Sequence, residues 1–224
     1  MFPFDRLGHL WHGILDDHRH FLPASPIDNT LPERFLLWVD GVGGYLACLS
    51  DKITLGQATS ETTVDIPILA DLASKHATLC RHGEDYLVEP RGDLFLGGSR
   101  IKEPTMLADG DQLTLGRDVS LRFRKPHPLS ATARLEFTSQ YRTEPRCDAI
   151  LLVSQSLILG PATQNHIVCH QWPGNIVFFQ KKLLLYCQSS QAVKLDGKPL
   201  ISTTPVQCGQ RISLDGCAIS LEEV

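Results

Sequence analysis

Apolar positions recur at helical spacing near the start of the chain. Leu7, Leu10, Trp11, Ile14, Leu15, Phe21 and Leu22 fall at three- and four-residue steps and form one stripe. Asp5 suits an N-cap, and Pro23 stops the run. The pattern predicts a short amphipathic N-terminal helix over residues 5–22, buried through Trp11, Ile14 and Phe21. His18 falls within the stripe, whereas His9, His12, Asp16 and His20 fall on the opposite face. His12 and Asp16 stand one turn apart, as two metal ligands would. A single helix face cannot bring three or four ligands together around an ion, so this face reads as solvated.

Residues 23–33 are rich in turn formers and read as a linker. Beyond them the pattern changes to short apolar runs punctuated by Gly, Asp and Pro. The first block contains Phe35 to Val39, Tyr45 to Leu49, Ile53 to Leu55, Tyr86 to Val88, Leu113 to Leu115 and Leu121 to Phe123. Val42-Gly43-Gly44 predicts a hairpin turn between the first two runs. Residues 126–146 are polar and carry Pro126, Pro128 and Pro145, which predicts a connecting segment. A second block holds Ile150 to Val153, Leu157 to Leu159, Ile176 to Phe179, Leu183 to Cys187, Ile212 to Leu214 and Ala218 to Leu221. Many short strands at close spacing predict sandwiches or barrels.

The two blocks read as a diverged repeat. Ile53-Thr54-Leu55-Gly56 corresponds to Leu157-Ile158-Leu159-Gly160, and Leu96-Gly97-Gly98 to Leu195-Asp196-Gly197. Asp109-Gly110-Asp111-Gln112-Leu113-Thr114-Leu115 corresponds to Cys208-Gly209-Gln210-Arg211-Ile212-Ser213-Leu214. Gly98 precedes Gly110 by 12 residues, and Gly197 precedes Gly209 by 12. The predicted organisation is a helix and linker over 1–33, a first domain over 34–125, a connecting segment over 126–146 and a second domain over 147–224. The fold class is all-β, with two separate antiparallel β-sandwiches and the short N-terminal helix.

Composition narrows the function classes. Of 224 residues, 42% are hydrophobic and 21% charged, enough to build cores. A net charge of −4 argues against nucleic acid as a partner, because phosphate backbones need a clustered positive field. No apolar run approaches the ~20 residues of a membrane helix, and a membrane partner is not expected. Asp5, Asp16 and Asp17 stand where a signal peptide would be apolar. Seven cysteines without a CxxC pair indicate free thiols in a reducing, cytoplasmic compartment.

The ordered motifs of the first block resemble a forkhead-associated (FHA) domain. They are Leu55-Gly56, Val64-Asp65-Ile66, Leu72 to Ala77, Phe95-Leu96-Gly97-Gly98 and Leu107 to Gly116. The second block resembles a more degenerate copy, and the whole resembles tandem FHA proteins of some bacteria. The resemblance implies an antiparallel β-sandwich that binds phosphothreonine peptides on loops at one end, in signalling. It implies an Arg after the Gly of an early strand, a Ser three residues before a His, and a later Asn. A guanidinium fork and neutral donors suit a phosphate dianion.

Carried onto this chain, those places hold other residues. The Arg position after Gly56 is Gln57, and the Ser position before His76 is Ala73. Ser74 lies one place later, beside Lys75. The Asn region falls on Gly92-Asp93, and Arg100 is a further nearby cation. These seven residues, Gln57, Ala73, Ser74, Lys75, Gly92, Asp93 and Arg100, are the peptide-binding candidates. Gly56, His76, Gly98 and Gly110 take structural roles, with His76 tying loops together. In the second block Gly160 is followed by Pro161, and Gln164-Asn165-His166 keeps little of the Ser-to-His loop.

The expected function is non-catalytic recognition or scaffolding of a protein or peptide, phosphorylated or not, with a decayed phosphothreonine pocket. A phosphothreonine-reading signalling adaptor is the alternative. An enzyme would have to use Cys80 with His82 or Cys169 with His170, and core thiols explain those cysteines better. Asp109 and Asp111 flank Gly110 as turn residues rather than as a cation site. Gly41 to Gly44 lacks the Lys and Ser/Thr of a phosphate loop. No catalytic residue, metal ligand or cofactor is assigned.

Overall fold

The structure, a computed structural model, describes residues 31–224 apart from Thr62, Pro128, Leu183, Ser202 and Thr203. The predicted N-terminal helix over 5–22 lies outside the described residues. The strands of the described residues fall into two series of eleven. The first is β1 (Arg34–Val39), β2 (Gly43–Cys48), β3 (Lys52–Gln57), β4 (Ile66–Ile68), β5 (Ala77–His82), β6 (Asp85–Pro90), β7 (Leu94–Leu96), β8 (Ser99–Ile101), β9 (Thr105–Leu107), β10 (Gln112–Leu115) and β11 (Val119–Arg124). The second is β12 (Ala133–Phe137), β13 (Ala149–Leu152), β14 (Ser156–Gly160), β15 (Ile167–Val168), β16 (Ile176–Lys181), β17 (Leu184–Ser189), β18 (Lys194–Leu195), β19 (Lys198–Pro199), β20 (Pro205–Val206), β21 (Arg211–Leu214) and β22 (Cys217–Glu223). The described residues form an all-β protein.

The two series repeat each other sheet by sheet. Order β4-β3-β5-β6-β9 makes one five-stranded sheet, and β15-β14-β16-β17-β20 makes the other. Both pack on a 12-stranded sheet with order β19-β18-β21-β22-β1-β2-β13-β12-β11-β10-β7-β8. Two apolar cores result. One joins Leu46, Leu55, Leu79, Phe123 and Ile150, and the other joins Phe35, Tyr45, Leu159, Phe178 and Leu221.

The structure departs from the expectation of two separate sandwiches, because the cores share this sheet. The cause is visible in the side chains of its middle strands. Most strands alternate, as β11 does with Val119, Leu121 and Phe123 buried and Arg122 exposed. In contrast, Phe35-Leu36-Leu37, Tyr45 to Cys48 and Ala149 to Leu152 are buried without a break. Leu36, Leu46, Cys48, Ile150 and Leu152 face the first core. Phe35, Leu37, Tyr45, Ala47, Ala149 and Leu151 face the second. A strand apolar on both faces is stable only when covered on both.

Three further details correct the sequence reading. The pairing is not wholly antiparallel, since β2/β13, β3/β4 and β14/β15 are parallel. Segment 126–146 is more than a connection, because it contains β12, which pairs with β11. The turn between β1 and β2 is Asp40-Gly41-Val42, closed by the Val42 amide on the Val39 carbonyl at 3.0 Å. Gly43 and Gly44 open β2, and Gly44 admits the Trp38 ring, whose atoms a Cβ would meet at 2.2 Å.

Candidate functional site

One end of the first repeat carries a cleft of about 1030 Å³. The loop between β4 and β5 forms one wall, with Asp71, Leu72 and Ala73. Gly92 and Asp93, between β6 and β7, form a second, and Gly116 to Asp118, between β10 and β11, a third. Tyr141, from the loop between β12 and β13, completes the lining.

His76 holds these walls together. It is 4% exposed, and its Nδ1 accepts the Ala73 amide at 3.2 Å. A neutral ring with Nδ1 as acceptor carries its proton on Nε2. Nε2 then donates to the Asp93 carbonyl at 2.8 Å. The Gly116 amide lies 3.1 Å from Nε2 but donates to the same Asp93 carbonyl at 2.8 Å. The backbone repeats the tie. The His76 amide donates to Leu55, and its carbonyl accepts from Arg91 and Gly92. Gly92 is needed for this approach, since a Cβ there would lie 2.6 Å from the imidazole.

Gly56 plays the same part on the other side. A Cβ on it would stand 2.1 Å from the Ser74 carbonyl oxygen. This contact lets the Gln57 amide donate to the Ala73 carbonyl at 3.1 Å. Gln57 at the end of β3 and Ala73 on the β4–β5 loop are therefore neighbours. Of the candidate residues, Ala73, Gly92 and Asp93 line the cleft. Ser74 and Lys75 are exposed on the same loop, outside that lining. Arg100 is not part of the lining either; its guanidinium pairs with the Asp93 carboxylate. Gly98 and Gly110 occupy turns at φ +84 and +93, with nothing within 4 Å of a Cβ at either, and Gly98 also lines the cleft.

The charge of the cleft is mixed. Asp71, Asp93 and Asp118 line it, with Arg117. Sequence reasoning missed Asp71, Arg117, Asp118 and Tyr141. The first three were legible as loop residues beside the quoted motifs, whereas nothing in the sequence brings Tyr141 to the first repeat.

The second repeat has its own cleft, about 430 Å³, at the corresponding end. Asp40, Gly41 and Val42 line it together with Cys169, His170 and Trp172, and Gly216 and Cys217. Asn175, just before β16, stands where His76 stands before β5, and its Oδ1 accepts from Asn165 Nδ2 at 3.1 Å. Trp172 is 4% exposed and fills space beside that loop.

The thiols proposed for an enzyme are unsuited to attack. Cys80 is buried, its thiol donating towards Glu89 at 3.6 Å, and burial pushes its pKa up. Burial pushes the Cys169 thiol up to about 12. His82 and His170 are exposed. Among the described residues no group of three or more His, Cys, Asp or Glu converges as a metal site. No helix there is long and apolar enough to cross a membrane.

Comparison with known proteins bears on the same region. Residues 53–116 match the FHA domain family. Kinesin-like protein KIF14 of Mus musculus is 34% identical over 76 residues, 33% of this chain and 4% of that protein's length. Two solved structures are similar at low superposition. The FHA-2 domain of the Mycobacterium tuberculosis ABC transporter Rv1747 is 19% identical, with TM-score 0.31, over 59% of this chain and 99% of its own. The Rv0020c FHA structure is 18% identical, with TM-score 0.27, over 37% of this chain and 84% of its own. The segment from β3 to the glycine after β10 thus matches the FHA family, as the ordered motifs of the sequence indicate.

Proposed function

We propose that this chain is a non-catalytic protein- or peptide-binding module whose first-repeat cleft no longer selects phosphothreonine. The FHA match over 53–116 supports recognition of a protein partner by the loop end. The observation that carries the loss of selectivity is the neighbouring pair Gln57 and Ala73, joined by a backbone hydrogen bond at 3.1 Å. Neither residue supplies the charge or hydroxyl that would hold a phosphate dianion. The lining sets Asp71 and Asp118 against Arg117, while Asp93 and Arg100 are paired with each other. Such a field favours a peptide without phosphate. Seven free cysteines, five of them buried, fit a reducing cytoplasmic setting.

Fluorescence anisotropy with a library of threonine peptides, each in phosphorylated and unmodified form, tests this reading. Equal or weaker binding of the phosphorylated forms is expected. A strong phosphate preference in wild type would overturn it and assign the pocket to Ser74 and Lys75, which are exposed on the same loop.

A further inference from the structure

The strands that open each repeat do not stay with it. β1 and β2 precede β3 as β12 and β13 precede β14. Yet β1 pairs with β22, the last strand of the second repeat, and β12 pairs with β11, the last strand of the first. The two opening pairs meet in the middle of the large sheet. There β2 and β13 run parallel, with Tyr45 opposite Ala149 and Cys48 opposite Leu152. The residues of each facing pair hold the same place ahead of β3 and β14. Along this parallel pair Tyr45, Ala47, Ala149 and Leu151 face the second core and Leu46, Cys48, Ile150 and Leu152 face the first, so one core lies on each face.

We infer that the repeats have exchanged their opening strand pairs, so that each core and each loop-end cleft is a joint product of both halves of the chain. Phe35, Leu37, Val39, Tyr45 and Ala47 of the first repeat enter the second core. Ala133, Leu135, Ile150 and Leu152 of the second repeat enter the first core. The clefts follow the same rule. Tyr141 brings a second-repeat side chain to the first cleft, and Asp40, Gly41 and Val42 bring a first-repeat turn to the second. Backbone bonds fix the Tyr141 loop on β4. The Leu69 amide donates to Arg142 at 2.9 Å, and the Glu144 amide donates to Pro67 at 3.0 Å. Ile68 also bridges to Thr143. The chain has the topology of a strand-exchanged dimer held in one polypeptide. Two independent tandem domains would instead place β1 against β11 and β12 against β22.

Two experiments on the full chain separate these arrangements. In the first, a specific protease site is inserted after Leu129, which is 86% exposed between β11 and β12, and the folded protein is cut there. The halves are expected to co-elute at the size of the intact chain in native buffer and to part only in denaturant. Halves that part in native buffer, each still folded, would overturn the exchange. The second needs no cut. β11 places Arg122 opposite Glu136, so Arg122→Cys with Glu136→Cys should close a disulfide under mild oxidation, read by peptide mapping. Trp38 on β1 lies opposite Ser220 of β22 as Glu136 on β12 lies opposite Arg122 of β11. Arg122→Cys with Trp38→Cys should therefore stay reduced. Closure of the 122–38 pair with the 122–136 pair left reduced would contradict the proposal.

Discussion

The first cleft depends on one imidazole and the glycine beside it. His76 accepts one amide and donates to one carbonyl from two different loops. Gly92 leaves the space that the ring occupies. Removing a buried partner strands its polar contacts, so His76→Ala is expected to cost about 1–3 kcal/mol in urea unfolding. Gly92→Ala overpacks the same place and is expected to cost about 1–3 kcal/mol. The double variant should cost less than the two combined, because the new methyl then occupies the vacated ring space. A second histidine gives a pH signature. His166 is fully buried, its Nδ1 accepts the Ile158 amide at 2.8 Å, and its buried Nε2 has no hydrogen-bond partner among the described residues. Burial, with smaller contributions from His127 and Arg134, lowers its pKa to about 4. The unfolded chain takes up a proton near the ordinary histidine value that the folded chain refuses until about pH 4. Stability is therefore unaffected by this group above about pH 6.5 and falls, by up to roughly 3 kcal/mol, as pH drops towards 4. His166→Asn keeps the acceptor and should flatten that fall, as measured by urea midpoints across the range.

At the scale of elements, two classes of glycine separate. Gly56, in β3, meets the Ser74 carbonyl backbone, which cannot move aside as a flexible side chain would. Gly56→Ala should push the β4–β5 loop off β3 and cost roughly 1–3 kcal/mol or more. Gly98 has only its positive φ to lose, since nothing lies within 4 Å of a Cβ there. Gly98→Ala should cost about 1 kcal/mol and leave the walls of the cleft in place, adding only a methyl to its lining, a contrast that thermal melts would read. Strand positions and turn glycines were legible in the sequence because period-two alternation and positive-φ turns leave local marks. The five-residue apolar runs at Phe35 to Val39 and Tyr45 to Leu49 also showed. Their meaning did not, because a continuous run says that both faces are covered without saying by what. β12 was hidden in a proline-bearing polar stretch, since Arg134 and Glu136 alternate with its two core residues.

Across the whole molecule, the motifs placed the first repeat and its loop end, but strand partnership is non-local and lies beyond motif reading. Tyr141 reaches the first cleft only because β12 and β13 cross to it. A molecule with a shared sheet should unfold as one unit. Urea transitions followed by far-UV circular dichroism and by tryptophan fluorescence, with Trp172 in the second core, are expected to coincide. Two separate midpoints would indicate independent domains. The functional account rests on Gln57 and Ala73 occupying the places that would grip a phosphate. Its most direct test compares wild type with Gln57→Arg/Ala73→Ser, and that double variant with one also carrying Asp93→Gly, by isothermal titration with phosphothreonine and unmodified peptides. A charged hydrogen bond contributes about 1.5–3 kcal/mol, so each restored contact moves affinity by about tenfold or more. The account predicts no phosphate preference in wild type, a measurable one in the double variant, and a larger one once Asp93 is gone and Arg100 is released. Folded variants that gain no preference, or a wild type that already has a strong one, would contradict it.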